Sequence, residues 1–178
     1  MLVQTLMNIL NSKAETVLAL LPPEQPKLET VIRAYFPHAL KTERLQLQTV
    51  LNAHVGLSVS LHAGVRAAQA GKAQSLLMCL GDMPLVSTPL LNTLMETQHN
   101  HTTAATAPLR NGKAGNPVAW NASQFSKLLQ IKGDQGGRAI LRNLGADIRL
   151  IPANSDELID FDTPERLEIY RQMTFSDG

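Results

Sequence analysis

The stretch Leu76–Leu85, LLMCLGDMPL, decides how this chain is read. A continuous apolar run ends at Gly81, a carboxylate follows at Asp82, and Pro84 comes two residues later. A short, wholly apolar run bounded by turn residues fits a strand buried on both faces, as in a parallel sheet. Proline cannot donate to a sheet ladder, so the strand stops before it. Asp82 then sits at the carboxyl end of a buried strand, which is where open α/β sheets bind ligands. Two readings of Asp82 stand at this point. It is a turn residue, or it is a ligand for a hard cation such as Mg²⁺, which takes one or two protein carboxylates beside phosphate oxygens.

The rest of the chain supplies the context. TVLALL (16–21) is a second continuous apolar run, stopped by Pro22-Pro23, and LQLQTVL (45–51) is a strand candidate. TTAATAPL (102–109), NPVAW (116–120) and DIRLIPA (147–153) complete the set of strands. Helical spacing falls at 2–11, 27–35, about 58–71, 87–98, 121–131, 137–144 and 162–173. Ser58 and Ser87 or Thr88 are expected N-caps, and Asp162 or Thr163 caps the last helix with Pro164 in its first turn. Strands alternating with helices imply α/β architecture: three layers, a mostly parallel open sheet and helices on both faces, in a single domain over residues 1–178.

Bulk properties narrow the function classes. The 178 residues are 44% hydrophobic and 17% charged, which suits one globular domain rather than a disordered chain. A formal net charge of +1 and only 4% aromatics give no reason to expect nucleic acid or an anionic membrane as partner. The one cysteine, Cys79, lies inside the apolar run and reads as a small buried hydrophobe in a reducing compartment. There is no convincing signal peptide and no apolar run long enough to span a bilayer, so the expected location is cytoplasmic. The five histidines lack metal-ligand spacing, and His99 and His101 are expected to face solvent.

Four places could carry chemistry. The first is Gly81-Asp82. The second is DFDTPE (160–165), where Asp160 and Asp162 precede a capped helix; a plain capping role for Asp162 competes with a metal role. The third is GLSVS (56–60), where Gly56, Ser58 and Ser60 offer backbone amides and hydroxyls at a helix start. The fourth pairs Gly115, Asn116 and Pro117 with GDQGGR (133–138), in which Asp134 can cap a helix and Arg138 can reach a phosphate.

Taken in order, GLSVSLHAG, LLMCLGDMP, GKAGNPVAW, KGDQGGRAIL and DFDTPERLEIY resemble the MobA-like nucleotidyltransferases. Within that family the resemblance is to the molybdenum cofactor cytidylyltransferases. It implies a Mg²⁺-dependent enzyme. Such an enzyme transfers a nucleotidyl group, CMP favoured, from an NTP to a phosphorylated acceptor such as the molybdopterin cofactor, and releases pyrophosphate. It further implies that Asp82 and Asp160, with Asp162 as the alternative, hold the metal. Gly56, Ser58, Ser60 and Gly81 fall on the nucleotide side, and Gly115, Asn116, Pro117, Asp134 and Arg138 on the acceptor side.

The resemblance also has departures. The family opens on a strand and a glycine-rich loop of the form L-A-A-G-x-S-x-R-x-G-x-x-K, and no such stretch occurs in these 178 residues. Asn116 stands where the family has a histidine, and Arg166 stands where an acid is common. Without the first strand, the runs at 16–21 and 75–80 are expected to lack a partner between them. Three readings follow: a start inside a longer gene, a partner chain or swapped element that fills the gap through self-association, or a degenerating gene. An alternative function goes with the last, namely a non-catalytic nucleotide- or cofactor-binding remnant or regulatory module on the same fold.

Overall fold

A computed structural model describes residues 1–134 and 136–175. The strands are β1 (Val17–Leu21), β2 (Leu45–Thr49), β3 (Ser75–Met78), β4 (Ala105–Arg110), β5 (Lys113–Ala114), β6 (Val118–Asn121) and β7 (Ile148–Pro152). The helices are α1 (Leu2–Leu10), α2 (Pro26–Tyr35), α3 (Pro37–Lys41), α4 (Leu57–Ala70), α5 (Thr88–Asn100), α6 (Phe125–Leu128), α7 (Arg138–Asn143) and α8 (Pro164–Phe175). No helix among the described residues is long and apolar enough to cross a membrane.

Two hydrogen-bonded sheets form. β1 and β2 pair in parallel from Val17↔Leu45 to Leu21↔Thr49. The larger sheet runs β3-β6-β4-β5, with β7 also on β4. β4 and β7 are parallel, while β6 is antiparallel to both β3 and β4. Strands β3, β4 and β7 therefore share one direction, and β6 is the reversed strand between β3 and β4. No ladder joins β1 to β3 among the described residues, as expected for two strands without a partner between them.

Helices cover both faces of the larger sheet, and alternate strand residues show it. Ala105 and Ala107 of β4 pack with Val118 and Trp120 of β6 against Leu61 and Val65 of α4, Leu128 of α6 and Leu141 of α7. Between them Thr106, fully buried, points the other way and donates to Oε1 of Gln98 on α5 at 3.0 Å. That side holds Leu90, Leu91 and Leu94 of α5 with Met83 and Val86. A third core places Leu6 of α1 and Ile32 of α2 on Val17, Ala19 and Leu21 of β1. Helix α4 packs on both β1 and β3, and α1 packs on both α2 and α5, so these two helices tie the sheets together.

One local expectation is revised. Ser58 does not cap α4; Gly56 occupies the N-cap and Ser58 lies buried inside the first turn. Of the two caps expected for α8, Thr163 serves: its Oγ1 accepts from the Arg166 amide at 3.3 Å. A β4–β5 hairpin was not anticipated; its two-residue turn is Asn111-Gly112, both at positive φ (50° and 75°). Ser87 caps α5 as expected, accepting from Leu90 N–H at 3.4 Å. His99 and His101 are exposed.

Candidate functional site

The site begins at the end of β3. The chain from Gly81 to Val86 makes no regular ladder, so its carbonyls need other partners. Helix α1 supplies them. Thr5 Oγ1 donates to the Gly81 carbonyl at 3.1 Å, and Asn8 Nδ2 donates to the Pro84 and Val86 carbonyls at 3.0 and 2.9 Å. Thr88 Oγ1 returns a bond to the Asn8 carbonyl at 2.9 Å. Met83 and Pro84 are buried, pinning the far side of the loop. Asn8→Ala is expected to leave two carbonyls short of a donor and cost about 1–3 kcal/mol, read by urea denaturation; an unchanged midpoint would show that water replaces the amide.

One backbone bond decides what Asp82 faces. The Phe161 amide donates to the Asp82 carbonyl at 2.9 Å. Carboxylates 78 positions apart in sequence are thereby brought within electrostatic reach. Asp82 Oδ1 is buried and has no hydrogen-bond partner. Burial raises the Asp82 pKa above the ordinary carboxylate range; a backbone hydrogen bond pulls it down, and the charges of Asp160 and Asp162 raise it further.

Asp160 and Asp162 are not bare. Arg166 Nη1 bonds Asp160 Oδ1 closely, reaches the Asp160 carbonyl at 3.0 Å and lies 3.3 Å from Asp162 Oδ1. Arg110 Nη1 stands 3.9 Å from Asp160 Oδ1 while donating to the Leu158 carbonyl at 2.6 Å. Phe161 between the two aspartates is buried and packs on Tyr170, with ring centroids 5.1 Å apart. The alternation of Asp160, Phe161 and Asp162 thus turns the apolar residue into the core and the carboxylates outward.

The other expected pieces fall into two groups. Gly56 meets the 133–134 turn: the Ser58 amide donates to the Gly133 carbonyl at 3.0 Å, and a Cβ on Gly56 would stand 2.6 Å from the Gly133 carbonyl carbon and 2.9 Å from Asp134 Oδ1. The stretches expected on the nucleotide and acceptor sides are therefore neighbours at this point. Ser60 is half-buried, and Asp134 and Arg138 are exposed. Gln135 lies outside the described residues. Gly137 makes room for Trp120, whose Cζ2 would be 2.5 Å from an added Cβ, so its close approach is to the core. Gly115 N–H donates to the Pro108 carbonyl at 2.9 Å, Asn116 is half-buried and Pro117 is fully buried.

Cys79 is no nucleophile in this setting. It lines a small apolar cavity with Thr5, Ile9 and Leu91, and burial pushes its thiol up to about 12. The thiolate, which is the reactive form, is then negligible at neutral pH. Sequence reasoning missed the contacts of Arg110, Thr5 and Asn8, because nothing in their local sequence marks them. Arg166 was visible only as a departure from pattern.

A family model for the MobA-like NTP transferase domain matches residues 1–148. The chain belongs to the MobA-like NTP transferase family. It is 29% identical over 170 residues to the purine catabolism protein PucB of Bacillus subtilis, a match that spans 94% of this chain and 81% of PucB. The fold is shared with Rv0371c of Mycobacterium tuberculosis, solved as a complex with manganese (TM-score 0.71, 18% identity, 94% of this chain and 84% of that one). It is shared also with a CMP:2-keto-3-deoxy-manno-octonic acid synthetase solved with CTP (TM-score 0.70, 15% identity, 99% and 88%). The MobA-like chain is thus nucleotidyltransferase-like in family and in fold.

Proposed function

We propose that this chain transfers a nucleotidyl group from an NTP, CTP favoured, to a phosphorylated acceptor such as the molybdopterin form of the molybdenum cofactor. A phosphate oxygen of the acceptor attacks the α-phosphorus, the bond to the β-phosphate breaks, and pyrophosphate leaves. The observation that carries this reading is Asp82. Its buried Oδ1 lacks a partner, and the Asp82–Phe161 backbone bond keeps it within electrostatic reach of two further carboxylates.

An orphaned carboxylate oxygen beside other carboxylates fits a divalent cation. Among the described residues no group of three or more His, Cys, Asp or Glu side chains is arranged to hold a metal ion. A Mg²⁺ that rides on a triphosphate needs no such cage, since one or two carboxylates and the phosphates complete its shell. Asp82 and Asp160 are the residues that would hold it, with Asp162 as the alternative. When bound, the ion supplies charge neutralisation of the phosphates and of the leaving pyrophosphate.

The chain's own groups do the rest by positioning, which is most of what phosphoryl-type transfer asks of a protein. Asp82 is held by the bonds from α1. In this reading Gly56 and Ser60, with Gly81, face the nucleotide side and the buried Ser58 supports it; Gly115, Asn116, Asp134 and Arg138 belong to the acceptor side, with the buried Pro117 behind them. Proteins with this fold have been solved with manganese and with CTP, which is consistent with a divalent cation and an NTP as ligands here.

The test is a pyrophosphate-release assay with CTP, GTP and ATP, Mg²⁺ and a panel of phosphorylated acceptors. Metal-dependent release with one acceptor is the expected result. Binding of an NTP without release from any acceptor would instead favour the non-catalytic binding module. Failure to bind any NTP would remove both.

A further inference from the structure

Arg166 occupies the place where the metal reading needs vacant oxygens. One guanidinium nitrogen holds Asp160 Oδ1, the Asp160 carbonyl and Asp162 Oδ1 together. Asp160 Oδ1 therefore already has a cation, while Asp82 Oδ1 has none. The two carboxylates are not equivalent toward an incoming ion. Asp82 offers a desolvated, uncompensated oxygen, but Asp160 and Asp162 offer oxygens already neutralised by a side chain from the first turn of α8.

We propose that Arg166 is a resident competitor of the divalent cation, and that it hands its carboxylates to the metal only when a phosphate-bearing ligand takes the guanidinium in exchange. This rests on the metal and nucleotide reading above. Two properties of the pair make the exchange feasible. The Arg166 side chain is 43% exposed and Asp162 is 51% exposed, so the contact is accessible and its net strength is modest. A guanidinium also matches phosphate oxygens as well as it matches carboxylate, so the leaving contact has a replacement of the same kind. Arg110 is not the exchanging group. It is 3.9 Å from Asp160 and its Nη1 is committed to the Leu158 carbonyl at 2.6 Å.

The consequence is an order of arrival. Free metal meets a second carboxylate already paired with a guanidinium at Oδ1, whereas a metal already carried on a triphosphate brings the anion that draws the guanidinium away. Such coupling between two ligands is reciprocal and commonly amounts to about 5–150-fold. The site then selects the metal–nucleotide complex over the bare ion.

The test compares wild type with Arg166→Gln in two titrations. Free Mn²⁺ is followed by electron paramagnetic resonance, and Mn²⁺–CTP by isothermal titration calorimetry. The expected result is that R166Q tightens free Mn²⁺ by about 10-fold, within the usual range of such coupling, and leaves Mn²⁺–CTP unchanged or weaker. Equal tightening of both, or of neither, overturns the proposal. If R166Q fails to fold, Arg166→Met replaces it, since it keeps the aliphatic stem and removes the cation. R166M is expected to tighten free Mn²⁺ as R166Q does, and an affinity equal to wild type overturns the proposal. Asp82→Asn in the same titrations separates the two ideas. Mn²⁺ binding that survives D82N removes the metal reading, whereas binding lost in D82N but indifferent to Arg166 removes only the competitor.

Discussion

Asp82→Asn is expected to stabilise the metal-free protein at neutral pH while weakening Mn²⁺ binding and nucleotidyl transfer on the order of 100-fold. The two effects have one cause. Burial, together with the charges of Asp160 and Asp162, raises the folded-state pKa of Asp82 above its unfolded value. A carboxyl with a raised folded pKa binds more protons folded than unfolded between the two values, so stability falls as pH rises through that window. Above it the native state carries an uncompensated charge. Asparagine keeps the shape and removes the charge, so the pH dependence from this group disappears. It also removes the anionic oxygen that a cation needs. The check is a series of thermal melts in EDTA from pH 4 to 8, paired with Mn²⁺ titration. A variant that loses stability throughout and binds Mn²⁺ like wild type would make Asp82 a turn residue and nothing more.

Much of the fold was legible because burial is written in local pattern. The apolar runs around β1 and β3 are recognisable without knowing their neighbours, and the Ser87-Thr88-Pro89 start of α5 needs only its own residues. The Asn111-Gly112 hairpin was equally local and went unread, although that dipeptide favours the positive φ that both residues adopt. The reversed direction of β6 was not legible. Its residues pattern like any buried strand, and direction is set by pairing with β3 and β4, which are remote in sequence.

The site divides the same way. Asp82, Asp160 and Asp162 can each be singled out as candidates from sequence, since strand ends and helix starts are local features. That they converge depends on the Phe161–Asp82 backbone bond, and that Asp160 arrives already paired depends on Arg166 reaching back across the start of α8. Both are tertiary facts. The bonds from Thr5 and Asn8 are of the same kind: an amide on an amphipathic helix gives no sign that it will serve a loop 76 and 78 residues away.

Gly56→Ala is expected to be strongly destabilising, for reasons of space as well as backbone conformation. Gly56 sits at φ +145°, where a side chain is strained by about 1–3 kcal/mol. Its Cβ would also stand 2.6 and 2.7 Å from the carbonyl carbon and oxygen of Gly133, and backbone cannot rotate aside as a side chain can. Overpacking of this kind adds about 1–3 kcal/mol. The same carbonyl accepts the Ser58 amide at 3.0 Å, so relief of the clash would pull the first turn of α4 away from the 133–134 turn. Gly133→Ala is the matched control. Gly133 is also at positive φ, +65°, but an added Cβ there meets nothing within 4 Å, so only conformational strain of about 1 kcal/mol is expected. Urea denaturation of both variants, with NTP titration on each, reads the difference. G56A should lose clearly more stability than G133A and bind NTP more weakly, because the contact it breaks joins the two stretches assigned to the nucleotide and acceptor sides. Equal losses would mean that conformation alone requires the glycine, and that the approach of the two turns carries no energetic weight.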